Sequence, residues 1–282
     1  MSYPEETIRK LKERAIDIRE DILEMIPAGK VGHLGGSCSA ADIVAALYFE
    51  KMHVYPDPKD PRRDRCIMSK GHAVLAQYAA FAELGYIDRK EFKGVKTYDG
   101  LLQGHPDMRT PGIEAVTGSL GQGLSVSLGM ALGVRLDGAT EGRIPRVYCI
   151  LGDGEIAEGQ IWEAAMAAVN YKADNLCAVL DLNGIQATAE TEAVFPIHDL
   201  REKWAGFGWH VIEIDGHDME AVLAAFDEAE DTKGVPTILI AKTVKGKGFD
   251  FAEGRPKYHN GSLTEAEYVR AKECIAAMRA AL

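Results

Sequence analysis

The chain has 282 residues, 46% apolar and 27% charged, a globular balance that excludes a disordered or fibrous protein. Its formal charge of −11, from 32 basic and 43 acidic residues, argues against non-specific binding to nucleic acid or to an anionic membrane. Glycine is in excess at 29 residues, and the five cysteines (Cys38, Cys66, Cys149, Cys177 and Cys274) show no paired spacing, as expected of reduced thiols in the cytoplasm.

The N-terminus enters a charged segment at once and carries no apolar leader. Ile8, Leu11, Ala15, Ile18, Ile22 and Met25 recur at helical spacing, so the first predicted element is an amphipathic helix ended by Pro27. Ser39-x-x-Asp42 reads as a capping-box start for a second helix running to about Met52. A short strand, Cys66–Met68, precedes a helix from His72 to Leu84 that stops at Gly85. The uncharged run from Ala115 to Val134 is too rich in Gly, Ser, Thr and Gln to span a bilayer. It reads as a loop feeding a helix over Gly121–Leu136.

Beyond it, the apolar runs Val147–Leu151, Leu176–Leu180, Trp209–Ile214 and Thr237–Ala241 are short and continuous, as buried parallel strands are. Helical stretches lie between them at Ile156–Tyr171, His198–Phe207 and Met219–Glu230, and a last helix spans about Thr264–Leu282. The fold class is therefore α/β, a parallel sheet with helices on both faces, and residues 1–282 read as one domain.

Ligands of such sheets bind beyond the carboxyl ends of the strands. Two neighbouring ends are polar here: Gly152-Asp153-Gly154 with Glu155 and Glu158 behind it, and Asp181-Leu-Asn183-Gly-Ile185, its Asn183 thirty positions after Asp153. A carboxylate, an amide oxygen and a backbone carbonyl suit a hard cation such as Mg²⁺, and the glycines let a phosphate reach the backbone. Alone, Gly-Asp-Gly reads as a strand-to-helix turn; the matching Asn183 at the end of the next strand is what points to a site.

His33, His72 and His105 stand in glycine- or proline-bearing loops, and His259 closes a loop behind Lys242, Lys245 and Lys247. Their spacing fits metal ligation poorly but suits donors to a diphosphate and to a polyhydroxylated substrate. His53, His198, His210 and His217 lack such loops and read as structural or surface residues. The Lys242–Gly248 run reads as a solvated loop, with anion binding as the alternative. Gly118-Ser-Leu120-Gly121-Gln-Gly123 follows no clear strand and has no correctly placed acidic residue behind it, which disfavours a dinucleotide-binding dehydrogenase.

Taken in order, Gly32-His33, Ser69-Lys-Gly71-His72, Gly104-His105-Pro106-Asp107, Thr117–Gly123, Gly152-Asp-Gly154 with Glu158-Gly159, Asp181-Leu-Asn183, Lys242-Thr243 and His259 resemble the N-terminal region of transketolases, thiamine-diphosphate enzymes. The resemblance implies the diphosphate-type thiamine-diphosphate fold, with Asp153, Asn183 and the Ile185 carbonyl holding Mg²⁺ (Ca²⁺ or Mn²⁺ as substitutes). It further implies that His72, Gly152, Gly154, Lys242 and His259 face the diphosphate, and that Gly118 and Leu120 line the aminopyrimidine and thiazolium. His33, His105 and His259 would face the sugar, and Glu158 would sit at an interface beside the cofactor.

The sequence departs from the family at Leu34, at Ser119 in place of a proline, and at Ala187 where a bulkier aliphatic is usual. Transketolases continue into a pyrimidine-binding domain, which supplies the glutamate that activates the aminopyrimidine, and a C-terminal domain. The resemblance therefore implies the N-terminal subunit of a split transketolase. A separate C-terminal subunit would complete a homodimer or heterotetramer, acting on a sugar phosphate or modified ketose. The alternatives are a deoxyxylulose-phosphate synthase-like or keto-acid dehydrogenase-like subunit, and a silent transketolase-like scaffold.

Overall fold

The structure, a computed structural model, describes residues 3–282. Helices α1 (Glu5–Met25), α2 (Leu34–Ser39), α3 (Ala41–Ala46), α4 (Val74–Glu83), α5 (Gln122–Asp137), α6 (Gly159–Asn170), α7 (Thr191–Val194), α8 (Leu200–Gly206), α9 (Met219–Asp231) and α10 (Glu265–Ala280) flank one all-parallel sheet. The sheet comprises β1 (Arg65–Met68), β2 (Val147–Gly152), β3 (Leu176–Leu182), β4 (His210–Asp215) and β5 (Thr237–Lys242), in the spatial order β1-β2-β3-β5-β4. Every strand expected from an apolar run is present, its ends shifted by at most two residues.

Side chains along the strands alternate between two cores, following the two-residue period of the pleat. Tyr148, Ile150, Cys177, Val179, Leu239 and Ala241 pack with α1, α3, α4 and α9. Val147, Cys149, Leu151, Ala178, Leu180, Ile238 and Ile240 pack with α5, α6 and α8. Both faces are covered, which is why these strands read as unbroken apolar runs. All five cysteines are free and buried. No helix among the described residues is long and apolar enough to cross a membrane.

The expected capping box at Ser39 is not formed. The helical region starts earlier, with α2 at Leu34, and breaks at Ala40 before α3 and a π-helical turn over Leu47–Lys51. Ser39 Oγ instead donates to the Gly36 carbonyl and to Asp181, and Asp42 pairs with Arg19. Both side chains are drawn inward because buried partners lie there, and a buried polar group left unpaired costs more than a lost cap. A capping box does open the last helix, where Thr264 and Glu267 bond reciprocally at the start of α10.

Candidate active site

The loops following β1, β2, β3 and β5 meet at the carboxyl edge of the sheet, where they enclose a cleft of about 150 Å³. Because Gly152 pairs with Asp181 in register, the next turns place Asp153 beside the 183–185 segment. The Asp153 carboxylate accepts the Gly184 N–H at 2.6 Å and the Gly154 N–H at 2.8 Å. Asn183 directs its amide nitrogen inward to Asp181 (3.2 Å), while its Oδ1 accepts the Ile185 N–H. Ile185 and Glu190 bridge antiparallel, and the Ile185 carbonyl accepts Lys245 Nζ at 2.6 Å.

Beneath this oxygen-rich rim lies a charged floor. Asp181, fully buried, pairs with the Lys70 ammonium and also accepts the hydroxyls of Ser39 (2.6 Å) and Thr243. Those bonds hold its carboxyl below the usual carboxylate range against the opposing effect of burial. Asp153 has no such cation in contact, so burial and the nearby Asp181 charge raise it. Glu155 is also buried, with its oxygens taken by Ser69 Oγ and the N–H groups of Gly121 and Gly152, which ties β1, β2 and the start of α5 together.

The four loop histidines converge above this floor. The His33 ring stands 5.2 Å from His72, 5.7 Å from His105 and 5.5 Å from His259, and His72 lies 4.9 Å from His259. Gly118, at φ +129°, makes this possible, because a Cβ there would lie 2.6 Å from the His105 ring. Burial, then neighbouring cationic groups, pushes His33 down to about 3, His72 to about 2 and His259 to about 4. At neutral pH each is a neutral imidazole that both donates and accepts. Lys245, lowered to about 8 chiefly by burial, bonds His259 Nδ1 at 2.8 Å and keeps its charge at neutral pH.

Residues 11–278 match the family described as "Transketolase, thiamine diphosphate binding domain". The chain belongs to that family. It is 42% identical over 254 residues to one subunit of the apulose-4-phosphate transketolase of Phocaeicola vulgatus, covering 90% of this chain and 89% of that one. It is 44% identical to a 6-deoxy-6-sulfo-D-fructose transketolase subunit of Clostridium sp., covering 90% of this chain and 92% of that one. The crystal structure of Campylobacter jejuni transketolase superposes with a TM-score of 0.86 at 31% identity, over 95% of this chain and 43% of that enzyme. The chain thus spans nearly the full length of the two bacterial subunits and about two fifths of the longer transketolase.

For a transketolase-family cofactor, the donor set is chemically consistent. Among the described residues no three His, Cys, Asp or Glu cluster as a metal site. One carboxylate, one amide oxygen and one backbone carbonyl are hard donors that leave room for water and diphosphate oxygens around Mg²⁺. Gln186 Nε2 is buried at the cleft with no hydrogen-bond partner, a donor suited to an acceptor-rich ligand. Leu120, Gly152, Gly154 and Ala187 complete the lining.

One expected cofactor-facing residue stands elsewhere, and Glu158, expected at an interface, lies outside the cleft. Lys242, the last residue of β5, is exposed, with its carbonyl bonded to Gly216; of the lysines in its loop, the one at the cleft is Lys245. Glu158 is exposed as the N-cap of α6, beside Gly121 and outside the cleft lining. Nothing in the sequence alone assigns a role to Lys70, Asp181, Thr243 or Gln186. The sequence marks the lysine-bearing loop after β5 as a candidate, without selecting Lys245 within it.

Proposed function

We propose that this chain is the N-terminal, diphosphate-binding subunit of a two-subunit transketolase. In this reading it transfers a two-carbon ketol unit from a ketose, phosphorylated or otherwise modified, to an aldose. The observation that carries it is the meeting of Asp153, Asn183, the Ile185 carbonyl, Lys245 and four neutral histidines at one sheet edge. The two relatives of matching length are both named as transketolase subunits, one for apulose-4-phosphate and one for 6-deoxy-6-sulfo-D-fructose.

In this reading Asp153, Asn183 and the Ile185 carbonyl hold Mg²⁺. Lys245, His72, His259, Gln186 and the Gly154 backbone receive the diphosphate, and Gly118 and Leu120 border the rings beyond it. Thiamine diphosphate supplies the nucleophilic carbon that accepts the ketol unit. His33 and His105, being neutral, each donate an N–H to a sugar hydroxyl or oxyanion and accept a proton at the other nitrogen; His259, whose Nδ1 accepts from Lys245, has its Nε2–H left to donate. Such groups contribute about 10²–10⁴ in rate each. Glu158, exposed and with no side-chain hydrogen bond among the described residues, faces the seam with the second subunit of a heterotetramer. The free cysteines suit a reducing, cytoplasmic setting.

The test is to combine the chain with a C-terminal transketolase subunit from the same genome, thiamine diphosphate and Mg²⁺. Complex size and ketol transfer are then measured on phosphorylated, deoxy and sulfonated ketoses. A stable complex that transfers ketol from at least one donor is expected. A stable complex silent with all donors would overturn the reading in favour of a scaffold.

A further inference from the structure

Three side chains that do not line the cleft, those of Arg19, Asp42 and His217, close a hydrogen-bonded ring with the loop that carries Lys245. Arg19 of α1 is buried; its guanidinium pairs with Asp42 of α3, and its Nε donates to the Lys247 carbonyl at 3.0 Å. Asp42 lies 2.7 Å from His217 Nδ1, and His217 Nε2 lies 2.9 Å from the Val244 amide nitrogen. Val244 and Lys247 belong to the same turn, joined by the bond from Lys247 N–H to the Val244 carbonyl, so the ring closes on itself.

This arrangement fixes the histidine's proton. A backbone N–H can only donate, so Nε2 must be bare and the single ring proton must sit on Nδ1, facing the carboxylate. Arg19 and His217 share Asp42, and each grips one end of the turn.

We infer that His217 is the positioning residue for Lys245. By accepting the Val244 N–H it fixes the backbone one residue before Lys245, and so sets where the ammonium stands relative to the Ile185 carbonyl and His259. The other ties of the turn are Thr243 to Leu182 and Asp181, the Lys245 carbonyl to the Gly254 N–H, and the Gly246 N–H to the Gly35 carbonyl; none of them fixes the peptide plane between Thr243 and Val244 from the N–H side. The Val244 N–H has the imidazole as its partner. The inference rests on the reading that the cleft receives a diphosphate, for which Lys245 supplies the cationic partner.

Two substitutions separate the ring's bonds. His217→Asn keeps a donor near Asp42 and removes the acceptor for Val244, whereas His217→Gln reaches Val244 with an amide oxygen. In the Asn variant, amide exchange across residues 243–248 should quicken and Mg²⁺-pyrophosphate binding by calorimetry should weaken, each about tenfold, as expected for one lost buried hydrogen bond. The Gln variant should restore both to within about threefold, at a thermal midpoint close to that of the Asn variant. In the unmodified chain, imidazole ¹⁵N shifts should show Nδ1 protonated and Nε2 bare. The opposite tautomer, or equal exchange and binding in the two variants, would overturn the inference. An unmodified chain that binds no pyrophosphate would instead tell against the diphosphate reading, while loop exchange still judges His217.

Discussion

Asp181 lies near the end of β3 without solvent exposure and with four donors aimed at it, so its charge is neutralised entirely from within. Lys70 is the only cation among those donors. Replacing it by methionine leaves a buried carboxylate without its counter-charge, and the cost should be about 3–5 kcal/mol in chemical denaturation. The double variant Lys70→Met/Asp181→Leu should recover most of that loss. Equal stability of the unmodified chain and the single variant would show that the hydroxyl and amide donors suffice. Asp153 belongs to the same scale and has the opposite character, because it packs against N–H groups with no cation in contact. Asp153→Asn should leave the fold intact and weaken Mg²⁺-dependent pyrophosphate binding on the order of 10–100-fold or more by calorimetry, as losses around metal sites do. The Asp181–Lys70 pair is invisible in sequence because its members stand 111 positions apart and nothing local marks either as buried.

The elements are legible where one physical cause dominates. Strands buried on both faces appear as apolar runs, and α1 appears as a three- and four-residue period with a proline at its end. α2 is not legible, since Leu34-Gly-Gly-Ser-Cys-Ser has poor helix propensity and is helical only because the core surrounds it on all sides. Its neighbour across the site, α5, shows the same dependence on packing at one glycine. A Cβ on Gly123 would come within 2.7 Å of the Ser69 Cα, so Gly123→Ala must push the helix start away from the loop carrying Lys70 and His72. The expected destabilisation is about 1–3 kcal/mol. Gly129→Ala, in the same helix where a Cβ meets nothing within 4 Å, should stabilise by about 0.5–1 kcal/mol. Denaturation midpoints of the two variants should move in opposite directions; a shared direction would contradict the packing argument. The charged loop after β5 is legible as a candidate, but its inward lysine is not, because only the return of the chain beneath the sheet selects Lys245 over Lys242.

At the scale of the whole molecule, the clustered histidines make the fold sensitive to acid. His33, His72 and His259 each have an ordinary value of 6.5 and a folded value of about 2 to 4. Between those limits the unfolded chain binds protons that the folded chain refuses, so stability is fully present above pH 6.5 and falls as the pH drops toward 4. Asp21, raised to about 6 mainly by burial, works the other way, since its proton favours the folded state between 3.8 and 6. Glu114, Asp153 and Glu155, each raised chiefly by burial, act in the same direction as Asp21, so the histidine contribution is read from the difference between variants. In the double variant His72→Gln/His259→Gln, the dependence of unfolding free energy on pH between about 4 and 6.5 should become shallower. An unchanged slope would place the acid sensitivity elsewhere.

The five buried thiols give the chain a built-in clock for its own opening. Cys66, Cys149 and Cys177 sit on three adjacent strands, Cys38 lies within α2, and burial pushes Cys38, Cys66 and Cys177 up to about 12. A thiol reagent at neutral pH therefore meets almost no thiolate until the sheet separates. Cys274, on the terminal helix and 9% exposed, should be modified first through fraying, and the other four together in one slower phase. The rate of that second phase measures how often the intact chain unfolds in water, without denaturant or an added probe. It also shows whether a bound ligand or partner slows the same event.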